Sequence, residues 1–105
     1  MTAYQSYSSV SGNTYTIQWN NNYTYEPMTL QAGQTVIFEW AGDTPHDVAT
    51  TPTTACSDFT VVSAPADVEG SYSYTFDDTG TFHFACSVGD HCEEGQRITI
   101  IAEWS

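Results

Sequence analysis

The chain has no lysine and a single basic residue, Arg97, against thirteen Asp plus Glu, for a net charge of −12 over 105 residues. This balance excludes electrostatic binding to nucleic acid or to anionic membrane surfaces. A protein met through charge would have to present a basic or neutral face. No apolar run approaches the ~18 residues that cross a bilayer, so no direct membrane insertion is expected. Strong helix formers are scarce and no stretch keeps a helical period. Histidine is also sparse, with three in all. That rules out a multinuclear copper oxidase, which would need more imidazoles than the chain owns. The cysteine count is three, an odd number, which in an extracellular setting suggests one disulfide plus one thiol with another task.

What the chain does have is aromatic and β-favouring residues. Seven Tyr, five Phe and three Trp stand among many Thr, Ser and Val. Alternation is the dominant pattern. Tyr15, Ile17 and Trp19 share one face, then Val36, Phe38 and Trp40 after the turn Ala32-Gly33-Gln34. Tyr72, Tyr74 and Phe76 follow, ended by Asp77-Asp78-Thr79-Gly80. Phe82, Phe84 and Cys86 are next in phase, and finally Gln96, Ile98, Ile100 and Ala102. Short pieces near 4–10, 46–50 and 59–62 complete seven to eight strands, the pattern of an antiparallel β-sandwich. Segments 41–46, 50–58 and 63–70 read as loops. The length fits one domain, 1–105.

The chemistry concentrates in Phe82-His83-Phe84-Ala85-Cys86-Ser87-Val88-Gly89-Asp90-His91-Cys92-Glu93-Glu94-Gly95-Gln96. Cys86 closes one inward face and Gln96 opens the next, with His91 midway on the connecting loop. That spacing aims a thiolate, an imidazole and an amide at one point. His46, in Thr44-Pro45-His46-Asp47-Val48, is the candidate for a second imidazole. Two His and one Cys with a weak axial donor make a blue-copper site. Zinc could use the same donors, but without an open coordination position it would have no catalytic use. His83 alternates out of phase with Cys86 and is assigned a structural place. Met28, a possible axial competitor, lies far upstream and is assigned to the core. A Cys/His hydrolase is disfavoured, because Cys86 ends a buried strand and lacks an orienting third group. The chain is therefore read as a non-enzyme.

The run Phe82–Ile100 resembles the copper loop of the phytocyanins, a family of cupredoxins. The pattern is Cys86, four residues, His91 followed at once by Cys92, and Gly95 before the axial position. With Gln96 there, the chain resembles the stellacyanin branch. Tyr25–Val36 is similar to the strand-turn-strand that precedes the first His ligand in cupredoxins. The resemblance implies a Greek-key cupredoxin-like sandwich. It implies one type 1 copper held by His46, Cys86, His91 and Gln96, and a Cys56–Cys92 disulfide bracing the site. The function implied is single-electron transfer by Cu(I)/Cu(II) cycling to a redox protein or small redox molecule. Two alternatives are copper storage or stress protection, and a cell-surface structural domain. Asp47 stands where Asn commonly follows the first His, leaving the usual hydrogen bonding across the site open. Asp90 stands where Gly commonly precedes the second, placing a carboxylate beside the solvent-facing ligand. The Asn22-Tyr23-Thr24 sequon and the cysteine usage fit secretion as a monomer. No leader or anchor signal is evident, and Met1 before a polar stretch suggests trimmed targeting segments.

Overall fold

The structure, a computed structural model, describes residues 3–5 and 9–104, and side chains over 12–104. Met1 and part of the strand expected near 4–10 lie outside them. In chain order the strands are β1 Ala3–Gln5, β2 Ser9–Ser11, β3 Thr14–Gln18, β4 Tyr23–Tyr25, β5 Met28–Gln31 and β6 Thr35–His46. After these come β7 Ala49–Thr51, β8 Thr60–Val61, β9 Asp67–Thr75 and β10 Gly80–Ala85. The one-turn helix α1, His91–Glu94, then precedes β11, Arg97–Glu103. Two sheets carry the sandwich, β2-β3-β6-β9 and β5-β11-β10-β7-β8, while β1 pairs with β4 separately.

The inward faces are those the alternation marks. Ile17, Val36, Phe38 and Phe76 are fully buried from one sheet, and Phe84, Ile98 and Ile100 meet them from the other. Phe38 sits at the centre, with ring centroids 4.9 Å from Trp19 and 5.3 Å from Phe84. Truncating it would leave a cavity between the sheets. Phe38→Ala should therefore lower the unfolding free energy by about 3–5 kcal/mol, read from the urea midpoint at unchanged slope.

The sandwich differs from the antiparallel expectation in two respects. Some neighbours run parallel: β3 with β6 and β5 with β11. Parallel neighbours need a crossover, and here the chain between β3 and β6 leaves for the other sheet before returning. Also, 41–46 and 67–70 are strand, not loop. They pair across an irregularity between Ala41 and His46, with His46 opposite Asp67. Ala41 to Pro45 and Asp67 to Glu69 are exposed on both faces, so no alternation could mark them. Gly70 belongs to the same device. A Cβ there would lie 2.7 Å from the Trp40 ring, whose Nε1 donates to the Asp67 carbonyl at 2.9 Å. This extension carries β6 past the sandwich edge and ends it on His46.

Candidate metal centre

Three strand ends and the start of a helix meet at one end of the sandwich. β6 finishes on His46, Cys86 follows β10, Gln96 precedes β11, and α1 opens on His91. The Cys86 amide donates to the Gln96 carbonyl at 3.1 Å, which closes the base of the 87–95 loop. Inside the loop, the His91 amide donates to Val88 O and the Gln96 amide to His91 O, each at 3.0 Å. The loop is thus a compact hydrogen-bonded unit, and it fixes where His91 stands relative to Cys86 and Gln96.

The donor atoms of His46, Cys86 and His91 all lie within 4.8 Å of one another. Cys86 Sγ is 3.4 Å from His91 Nδ1, and the two imidazole centroids are 5.0 Å apart. His46, Cys86 and Gln96 are buried, while His91 is partly exposed. His46 Nδ1 and both amide atoms of Gln96 are buried without a hydrogen-bond partner. Gln96 stands beside His46 closely enough to favour its charged form, yet no hydrogen bond joins them. Orphaned buried polar atoms are costly, and three of them facing one cluster mark a place for a further ligand.

Burial sets the protonation. It pushes the Cys86 thiol up to about 11, although the backbone amides of Asp47 and Val88 pull the other way. Burial first, and then the neighbouring His91, hold His46 below the usual histidine range. Burial therefore favours the neutral Cys86 thiol and the neutral His46 imidazole. A metal cation would displace the thiol proton, because the thiolate is the ligand form.

Three other residues hold this geometry. Asp47 is buried; its carboxylate accepts from the Ser87 amide at 2.7 Å and the Ser87 hydroxyl at 2.5 Å. The residue after His46 is thereby tied to the residue after Cys86, so hydrogen bonding across the site is kept with Asp in place of Asn. Trp19 Nε1 donates to the Asp47 carbonyl at 2.8 Å, which anchors the same turn to β3. The sequence marks Trp19 only as a core residue and Ser87 not at all; their roles at the site depend on contacts 28 and 40 positions away respectively. Asp90 is exposed directly before His91, as the sequence implied.

The Cys56–Cys92 disulfide is present, with Cα atoms 5.9 Å apart. Arg97 Nη1 donates to the Cys92 carbonyl at 2.7 Å and lies 4.0 Å from Cys56 Sγ, a placement that the sequence did not signal. Cys86 is the free thiol. His83 points to the outer sheet face and meets Thr99 Oγ1 at 3.0 Å, away from the cluster. Met28 packs within the core, opposite Ile100.

Gly95 makes the last turn possible. Its φ is 126°, and a Cβ would approach Tyr23 O to 2.7 Å. Gly95→Ala should cost about 1–3 kcal/mol from the backbone conformation alone. The clash with Tyr23 adds to this, seen as a lower thermal midpoint and a less ordered Gln96.

No family model and no curated protein sequence matches this chain. Solved structures do. Cucumber stellacyanin in its Cu2+ form is 24% identical, covering 73% of this chain and 72% of that one, with a TM-score of 0.58. Spinach plantacyanin is 22% identical over 86% of this chain and 99% of its own, at a TM-score of 0.60. A Cu(I) form of an amicyanin variant is 19% identical over 94% and 90%, at 0.61. These likenesses and the two-sheet architecture agree: the chain has the cupredoxin fold, and phytocyanins stand among its structural neighbours.

Proposed function

We propose that this chain is a blue-copper electron carrier, in which His46, Cys86 and His91 would hold one copper with the Gln96 amide as a weaker fourth donor. The observation that carries the reading is the buried cluster itself. An N, S, N donor set lies within 4.8 Å, beside unpartnered His46 Nδ1 and Gln96 amide atoms. Two His and one Cys with a weak axial donor are the donors of a type 1 site. Copper bound there supplies a one-electron couple, Cu(I)/Cu(II). Cys86 gives the soft donor that favours the reduced state, and the imidazoles serve both. The strand ends and the Asp47–Ser87 bonds hold the donors in one arrangement, limiting reorganisation between states.

His91 is the partly exposed member of the set, and so offers the edge through which an electron leaves. Asp90, Glu93 and Glu94 are exposed around it, which suits a redox partner with a basic or neutral face. The disulfide fits an oxidising, extracellular setting, and Asn22 of the sequon lies exposed in a turn. Storage or delivery is disfavoured by the burial of three of the four donors.

Loading with Cu(II) tests the reading. One equivalent should bring up an intense visible thiolate-to-copper band, and a colourless copper complex would refute it. The Gln96 assignment has its own test. Gln96→Met replaces a hard amide with a thioether and should favour Cu(I). A hundredfold change in relative affinity for the two states corresponds to roughly 120 mV for a one-electron couple. A rise of that order in protein-film voltammetry is expected, and an unchanged potential would remove Gln96 from the metal.

A further inference from the structure

On the outer face of the five-stranded sheet lies a cavity of about 90 Å³ that none of the four candidate metal ligands lines, although Ala85, Cys92 and Arg97 beside them do. Its roof is the Thr53-Thr54-Ala55 segment, held down by the Cys56–Cys92 disulfide, and its floor is β10 and β11. The register places His83 opposite Thr99 and Ala85 opposite Arg97. His83 and Arg97 are therefore diagonal neighbours on one face, at roughly 7–8 Å between backbones.

The charge at this cavity is the reverse of the molecule's. The chain's one Arg and one of its three His line it, together with the hydroxyl residues Thr51, Thr53, Thr54 and Thr99. No Asp or Glu lines it among the described residues. Three other surface cavities each include a carboxylate residue: Asp43 in one, Glu103 in another, Glu39 and Glu69 in a third. With thirteen carboxylates available, the guanidinium forms no ion pair with any described residue. One of its nitrogens serves the Cys92 carbonyl, and the others are left without a described partner. His83 is held through Nδ1 by Thr99, and no described residue bonds Nε2.

We infer that this cavity binds a small monocarboxylate, its oxygens taken by Arg97 and His83 and its hydrocarbon part set against Tyr25, Pro27 and Ala55. Guanidinium is the side chain best shaped for a carboxylate fork. The apolar wall favours an organic acid over a bare oxyanion. The net charge of −12 further disfavours a dianion such as phosphate. At physiological ionic strength that general repulsion is screened beyond about 8 Å, while direct contacts inside the cavity are not.

The test is a side-chain NMR titration of the folded, disulfide-intact chain with sodium benzoate at constant ionic strength. Phosphate and chloride serve as parallel arms. Saturable shifts of the His83 ring and Arg97 guanidinium signals with benzoate alone are expected, weakened at least tenfold in Arg97→Gln. Ala55→Phe, a change in the exposed roof, fills the cavity while leaving the Arg97 side chain in place and should abolish saturation. It decides the matter if Arg97→Gln fails to fold. Shifts that never saturate, saturation unaltered in the variants, or tighter saturation by phosphate would each overturn the inference. The signals read are remote from copper colour, so this result stands or falls separately from the electron-transfer reading.

Discussion

Cys86→Ser should abolish the visible band of the Cu(II)-loaded protein and weaken copper binding by orders of magnitude. Cys86 is the free thiol of the chain, the other two cysteines being joined to each other. No second sulfur of the right kind can take its place. A serine hydroxyl is a hard donor and ionises far less readily than a thiol. It therefore supplies neither the charge-transfer partner nor the charge that a metal cation would meet in this buried pocket. The fold should persist, since the exchange is nearly isosteric. The cost is that of burying a hydroxyl, about 1–3 kcal/mol on protein scales. Circular dichroism and copper titration together separate loss of the site from loss of the fold. A variant that kept its colour would place the thiolate ligand elsewhere.

Reducing or removing the Cys56–Cys92 bridge should have the second large effect. The bridged residues are 36 positions apart. The chain-entropy relation gives roughly 4 kcal/mol for a loop of that size. Small domains hold only about 5–15 kcal/mol in total, so the loss is a large fraction of the stability. It reaches the site as well. Cys92 follows His91 within α1, and Arg97 holds the Cys92 carbonyl, so freeing the bridge loosens the turn that carries the imidazole. Urea unfolding with and without a phosphine reductant measures the first effect, and the rate of copper loss to a chelator measures the second. Equal midpoints would mean that the bridge braces nothing.

The legible and illegible parts of the molecule divide along a physical line. Where one strand face is buried, alternation discloses it. Gln96, Ile98, Ile100 and Ala102 are all buried as their phase requires, and His83 leaves the site for the same reason. The spacing of Cys86, His91 and Gln96 was readable because one short loop holds all three. The outer half of β6 was not, because Ala41 to Pro45 and their partners in β9 are exposed on both faces. The strand there is kept by backbone pairing and by Trp40 resting on Gly70. Parallel pairing was also hidden, since it depends on which sheet an intervening segment visits and not on any local pattern. Asp47 could be seen as a departure from the family pattern. That its carboxylate binds Ser87, 40 residues on, is settled by packing alone. Arg97 stands out in the sequence only by its charge, and its place at the disulfide depends on the 52–58 loop folding over β11.

The central claim is a reversible one-electron couple at a single copper bound by His46, Cys86 and His91. A spectroelectrochemical titration of the protein loaded with one equivalent of copper tests it most directly. The account predicts that the visible band bleaches and returns over repeated cycles, with one electron per copper and no loss of metal. A band that fails to return, a transfer other than one electron, or copper released on reduction would contradict it.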